Sequence, residues 1–152
     1  MIRFSRATLL DVPKMQALVR PYVDDGTILE RSNDEISTNI RSYVLAFDEQ
    51  RLVGFAALHI HTIRLAEIRS LVVDKSYWNH GVGKELVSQA LQEGQKLGLE
   101  EVLVLTYKQA FFEKLGFVEI PKESLPEHKI WADCIKCKHF PICNEVSLIK
   151  RY

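Results

Sequence analysis

What this 152-residue chain most plainly lacks is an excess of charge of either sign: its 20 basic and 20 acidic side chains cancel. Without a net field, neither nucleic acid nor an anionic membrane is recommended as a partner, and recognition has to be local. Cysteine is scarce and odd in number, at three, which argues against a secreted disulfide framework. No apolar run approaches bilayer-spanning length, and the opening residues Met1 to Arg6 lack the hydrophobic stretch of a signal peptide. The expectation is a cytoplasmic protein with small-molecule partners. Internal repeats and low-complexity tracts are missing too, so the chain reads as one domain over residues 1–152. What is there is an ordinary globular mix, 47% hydrophobic and 26% charged, in a chain long enough to bury a real core.

Periodicity divides that material into strands and helices. Ile2 to Ala7 reads as a first strand, and Asp11 to Tyr22 as a helix with Val12, Met15, Leu18 and Val19 on one face and Pro13 in its first turn. Asp25-Gly26 breaks the chain, and Ser32-Asn33-Asp34-Glu35 has the spacing of a capping box opening a helix to about Arg41. Tyr43 to Phe47 and Leu52 to His61 are strands joined by a polar turn. The second is apolar on both alternating faces, as a central strand covered on both sides would be. Leu65 to Val73 is a further strand. Val82 to Leu97 is a helix with Val82, Leu86, Val87, Ala90, Leu91 and Leu97 inward, stopped by Gly98. Val102 to Leu105, Phe117 to Ile120 and Val146 to Ile149 supply the last strands, and Ala110 to Leu115 a short helix. Hairpins first and alternation with helices later imply an α/β domain on a mixed sheet.

One segment carries chemistry. The strand Glu67-Ile68-Arg69-Ser70-Leu71-Val72-Val73 is followed, after a short loop, by Trp78-Asn79-His80-Gly81-Val82-Gly83-Lys84, which opens the long helix. Glycines at a helix start let backbone N–H groups approach an anion such as a pyrophosphate, helped by the partial positive charge of the helix N-terminus. A tight turn with packing glycines is the plainer reading. The dinucleotide fingerprint fails because Leu86 stands where its third glycine belongs, and the P-loop fails for want of its spaced glycine before Gly83-Lys84. In an unbroken strand Glu67, Arg69, Leu71 and Val73 share one face, so a carboxylate and a guanidinium lie beside the anion loop. A structural ion pair would use the same residues.

Leu71-Val72-Val73 with Gly81-x-Gly83 resembles motif A of the GNAT acetyltransferases, and Phe111-Phe112-Glu113-Lys114-Leu115-Gly116-Phe117 resembles their later motif. Glu30-Arg31-Ser32, Ala66 to Leu71, Val104 to Tyr107 and Trp131 to Cys134 further resemble the short bacterial N-acetylglutamate synthases. The resemblance implies the GNAT fold, with about six to seven strands and four helices. It also implies direct transfer of acetyl, in a ternary complex, from acetyl-CoA to the α-amino group of L-glutamate, the entry to arginine biosynthesis. The alternatives are acetylation of another amino acid such as glutamine, of a small amine or of a protein N-terminus, or a module that binds acyl-CoA without turnover. The resemblance carries no regulatory domain for arginine, so no feedback through one is expected, and a homodimer is left open.

On that resemblance, Asn79, His80, Gly81, Val82, Gly83 and Lys84 cradle the CoA pyrophosphate, and Leu71, Val72 and Val73 meet the pantetheine arm as an added strand would. Two departures stand out: Trp78 occupies the motif's arginine or glutamine place, and Phe112 the place of the tyrosine that usually protonates the leaving thiolate. A protonated amine cannot attack a thioester, so a base is required, and Glu67 is the candidate. Thr106 and Tyr107 are the hydroxyls left to return a proton to the sulfur. A substrate with two carboxylates needs cationic donors, for which Arg31, Arg69 and Lys108 are candidates. A bulge at Ser70 would turn that residue into the site and part the strand ends to admit CoA.

Two clusters fall outside this scheme. His59-x-His61 lacks a third ligand nearby in sequence and reads as a pair of partly exposed strand histidines rather than a metal site. Cys134-x-x-Cys137-x-His139-x-x-x-Cys143 has zinc-binding residue types at spacing short for a zinc finger. No metal is expected there, with zinc at Cys134, Cys137 and Cys143 the alternative.

Overall fold

The computed structural model describes residues 1–121, Ser124 and 146–152; the cysteine cluster and Trp131 to Cys134 lie outside these residues. Among the described residues seven strands, β1 (Ile2–Arg6), β2 (Tyr43–Asp48), β3 (Arg51–Ile60), β4 (Leu65–Val73), β5 (Glu101–Thr106), β6 (Val118–Ile120) and β7 (Val146–Arg151), form one sheet in the order β1-β2-β3-β4-β5-β7-β6. All neighbours run antiparallel except β4 and β5, which are parallel. Four α-helices among the described residues, α1 (Val12–Asp24), α2 (Asn33–Thr38), α3 (Val82–Leu97) and α4 (Gln109–Glu113), complete the α/β architecture expected from the pattern.

α1 buries Val12, Met15, Val19 and Val23 against Tyr43, Leu45, Phe55 and Ala57 on one side of the sheet. α3 buries Val82 and Leu86 against Val44, Ala46, Val53 and Ala56 on the other. β3 is therefore covered on both sides, as its unbroken apolar run requires, and each large aliphatic or aromatic side chain so buried stabilises by roughly 1.5–3 kcal/mol. Three local expectations are corrected. α1 continues past Tyr22 to Asp24 with Pro21 inside it. α2 stops at Thr38 and gives way to a 3-10 turn over Ile40–Ser42. Leu97 is not inward: it is 56% exposed, and Gly94 is buried instead, where the Tyr152 ring lies against the helix and donates to the Leu91 carbonyl at 2.5 Å.

The feature that makes a site is a mismatch between the two edges of β4. Toward β3 its register runs from Ala66 to Val73. Toward β5 only Leu65, Ala66 and Glu67 are paired, with Glu101, Val102 and Leu103, although both strands continue beyond. Phe55 faces Val72 and Ala57 faces Arg69, so β4 carries one extra residue opposite Ala56. This bulge is centred on Ser70, at φ +59°. It changes the facing of the strand. Val72 joins the α1 side with Phe55 and Ala57, whereas Leu71 and Val73 pack toward Val82 and Leu86 on the α3 side. The common face for Glu67, Arg69, Leu71 and Val73 expected of an unbroken strand is thus corrected: only Glu67 and Arg69 keep it.

Candidate active site

Where β4 and β5 part, a cleft of about 670 Å³ opens. Glu67, Thr106, Tyr107, Leu71, Val72, Val73, Asn79, Gly81, Val82, Gly83, Lys84, Arg31, Arg69, Ser70 and Lys108 all line it. These residues come from four separate stretches of chain that topology alone brings together. His80 is the exception: it does not line the cleft and instead sets its ring edge-on to Tyr77, 6.5 Å between centroids.

At the anion end, Asn79 (φ +66°) and Gly81 (φ +81°) both take the left-handed conformation, turning the chain into α3. The first helical bond is Glu85 N–H to Gly81 O at 3.0 Å, so the N–H groups of Val82, Gly83 and Lys84 have no partner within the helix. Behind them the strand is prepared for an added partner. Asp74 N–H donates to Val53 O at 2.8 Å, and by alternation Val73 and Leu71 direct their main chain away from β3. The Val73 carbonyl accepts from Tyr22 Oη at 3.1 Å and from Trp78 Nε1 at 2.7 Å. Trp78 thus anchors the loop to the strand from the place where the motif has a charged or amide side chain. Lys108 sets its Nζ 5.5 Å from the centre of the Trp78 ring, bringing its charge to the loop end of the cleft.

The other end is polar and closely bonded. Glu67 is 2% exposed, and its Oε1 lies 2.8 Å from His61 Nε2, whose side chain is 5% exposed. Arg69 Nη2 donates to His59 Nδ1 at 3.0 Å. His59 and His61 are both partly exposed as whole residues, as expected, but His61 lies just past the end of β3 and its side chain is turned inward. Arg31 is held by the start of α2: Ser32 Oγ accepts from Glu35 N–H at 3.1 Å in the anticipated capping box, and Glu35 Oε2 lies 3.7 Å from Arg31 Nη1. Gln16 of α1 donates to the Arg31 carbonyl at 2.9 Å.

Near the arginines stands a residue the sequence reading missed, Tyr43. It is 5% exposed, and the charges of Arg31 and Arg69 both act on its phenol. Burial pushes its phenol above the usual tyrosine value, and the two guanidiniums pull the other way. A lone hydroxyl-bearing aromatic in an apolar strand was the available signal. The thiolate end shows less. Thr106 is buried, with Oγ1 accepting from Lys108 N–H at 2.8 Å, and Tyr107 is 39% exposed. Phe112 packs edge-on between Phe111 and Phe117 in the core, so no proton comes from that position. No cluster of metal-ligating side chains occurs among the described residues, nor any helix long and apolar enough to cross a membrane.

A splayed strand pair with a main-chain edge, a helix N-terminus beyond it and a buried carboxylate at the vertex define an acyltransferase that uses a CoA thioester. Residues 12–117 match the acetyltransferase (GNAT) family, and the chain belongs to it. It is 36% identical over 144 residues to an uncharacterized N-acetyltransferase of Chlorobaculum tepidum, covering 95% of this chain and 92% of that one. It is 34% identical over 118 residues to the amino-acid acetyltransferase of Mycobacterium tuberculosis, covering 76% and 67%. The N-acetylglutamate synthase of Neisseria gonorrhoeae, solved with coenzyme A and N-acetyl-glutamate, superposes with a TM-score of 0.89 at 23% identity, covering 99% of this chain and 35% of that one. The chain is thus an amino-acid-acetyltransferase-like enzyme of this family, and family membership makes acetyl-CoA its cosubstrate.

Proposed function

We propose that the enzyme acetylates the α-amino group of L-glutamate. The observation that carries this reading is that two guanidiniums, Arg31 and Arg69, line the same cleft as Glu67, and both act on the charge of the Tyr43 phenol. Two planar cations suit a substrate with two carboxylates, and each charged hydrogen bond they make contributes about 1.5–3 kcal/mol. The relatives named amino-acid acetyltransferase support the amino-acid class.

The bound thioester supplies an activated acetyl group. Val82, Gly83 and Lys84 N–H groups and the positive end of α3 bind the pyrophosphate, and Lys84 and Lys108 add charge at that end. Leu71 and Val73 pair with the pantetheine through main-chain N–H groups; the Val73 carbonyl is already engaged by Tyr22 and Trp78. Leu71 N–H, just past the bulge, polarises the thioester carbonyl. The Arg31 and Arg69 guanidiniums orient the amino acid, and Glu67 removes a proton from its ammonium group so that the nitrogen lone pair reaches the carbonyl carbon. The Thr106 hydroxyl, held in place by Lys108 N–H, or the Tyr107 phenol returns a proton to sulfur.

Following CoA release with each of the twenty amino acids tests the proposal. Glutamate is expected to give the highest kcat/KM, by at least tenfold over glutamine. Glutamine or a monocarboxylic amino acid ahead of glutamate would sink the assignment to glutamate and leave the acetyltransferase class standing.

A further inference from the structure

We propose that His61 is the positioning residue of the proton acceptor: it holds Oε1 of Glu67 through Nε2, and the two groups take up one proton as a pair. The inference rests on reading Glu67 as the base. At 2.8 Å a proton must lie between Nε2 and Oε1, because two lone pairs would repel at that distance. With Glu67 ionised the proton sits on Nε2 and fixes the plane of the carboxylate at the wall of the cleft. The pair is 5% and 2% exposed, so water does not substitute for this bond.

The surroundings keep the pair in that arrangement. A guanidinium has only donors, so His59 Nδ1 must be the acceptor of the Arg69 bond, and His59 is neutral with its hydrogen on Nε2. The rings of His59 and His61 meet edge-on, 4.9 Å between centroids and 76° between planes, which sets the orientation of the His61 ring. Among the described residues, the other titratable and charged groups ranged about this end of the cleft are Arg69 on β4, Tyr43 on β2, Arg31 and Glu35 at the start of α2, Arg20, Tyr22 and Asp24 on α1 with Glu30 beyond it, and Tyr107 and Lys108 after β5. Arg69, on the same strand and side as Glu67, opposes proton uptake by the carboxylate, so a second proton-accepting group beside Glu67 has a task.

In the step itself, one N–H bond of the substrate ammonium breaks and one bond to hydrogen forms at the pair, whose charge goes from minus one to zero. The amine keeps the electron pair. The affinity of the pair for that proton is the sum of the affinities at its two sites, so replacing the imidazole by a group that still donates to Oε1 but takes no proton lowers it. Leucine removes the donor as well and lets the affinity of the carboxylate itself rise, so the sign of the test is read on H61Q.

The experiment measures kcat and kcat/KM against pH for the parent enzyme, H61Q, H61L and E67Q. Glutamine keeps a donor near the place of Nε2 but takes no proton. In H61L, kcat is expected to fall about ten- to a hundredfold with both KM values within about twofold. H61Q should restore most of that loss at pH 8. Its acid limb should move to lower pH, since the carboxyl is then the only group of the pair left to take the proton. An acid limb in H61Q that superposes on the parent's, or an undiminished kcat in H61L, overturns the pair. Should both His61 variants fold poorly, nitrogen-15 histidine spectra of the parent and E67Q decide instead. Loss or displacement of one imidazole titration in E67Q supports the pair, and identical titrations overturn it. Full activity of E67Q would remove the base assignment itself, whereas an inactive E67Q beside an unmoved H61Q profile removes only the role of His61.

Discussion

The two edges of β4 are made of the same backbone and meet opposite fates. Toward β3 the ladder runs nearly the whole strand, between two sides of packed aliphatic and aromatic residues. Toward β5 it stops at Glu67, and the bulge at Ser70 carries the rest of the strand away. The closed edge satisfies its polar groups within the protein, so substitutions there should cost stability. On the proposed function the open edge offers main-chain groups and charges to the ligands, so substitutions there should cost activity. Glu67 sits at the vertex, the last residue paired on the open side and bonded across the closed side to His61.

The largest effect expected is at that vertex. Glu67→Gln keeps the size of the side chain and an acceptor for His61 but removes the proposed base, so kcat is expected to fall about 10²- to 10⁴-fold while the melting temperature stays close to the parent's. Steady-state assay with thermal denaturation separates the two. A large loss of stability would place Glu67 with the closed edge. Next come the cations. Arg31→Ala or Arg69→Ala is expected to lower kcat/KM for glutamate about ten- to a hundredfold, the equivalent of one charged hydrogen bond. The KM for acetyl-CoA should hold. An equal rise in both KM values would mean that the arginines order the cleft rather than the substrate.

Which parts of this were legible in the sequence follows from which interactions are local. The helices and strands were, because 3.6- and twofold periodicity are properties of neighbouring residues, and the Ser32–Glu35 capping box and Gly98 stop are local chemistry. Leu97 was misplaced because the C-terminal Tyr152, over fifty positions away, takes the place beside α3. The Glu67–His61 and Arg69–His59 bonds were readable in principle. With His59 opposite Glu67 in the hairpin, both are diagonal pairs on one side, along the same diagonal. Tyr43 was not readable, because the influence of Arg31 and Arg69 on it depends on a loop held by α1 and α2 and on the pairing of three strands. Trp78 reads as a departure from the motif until its bond to the Val73 carbonyl shows what it does there.

Two glycines sharpen the contrast at a smaller scale. A Cβ at Gly54, on the closed edge, would lie 3.0 Å from the Val72 carbonyl oxygen and 3.2 Å from Leu86 Cδ1. Gly54→Ala should therefore cost about 1–3 kcal/mol by overpacking, read as a lowered denaturation midpoint, with activity per folded molecule unchanged. A Cβ at Gly83 meets only Phe111 and Val73 at 3.5 and 3.6 Å, ordinary contacts, and alanine is the better helix former. Gly83→Ala should leave stability unchanged or slightly raised, yet increase the KM for acetyl-CoA several-fold, because that methyl stands between two residues lining the cleft. Reversed results would exchange the roles of the two edges.

The smallest effect concerns Tyr43, which belongs to the closed side by burial and to the open side by its partners. Burial, the largest influence on its phenol, raises its folded-state value above the ordinary 10.0, and the Arg31 and Arg69 charges offset part of that rise. A group whose folded value is raised contributes stability that is complete below its unfolded value and is lost as pH rises through the folded one. Stability of the parent protein should accordingly fall as pH rises above about 10, with Tyr43 supplying part of the slope alongside Tyr22 and Tyr152, which burial also raises. Tyr43→Phe removes only its own part, so its denaturation midpoint should decline less steeply than the parent's across that window. An unchanged slope would mean that the two guanidiniums cancel the effect of burial. Tyr43 would then count with the cations of the open edge rather than with the core of the closed one.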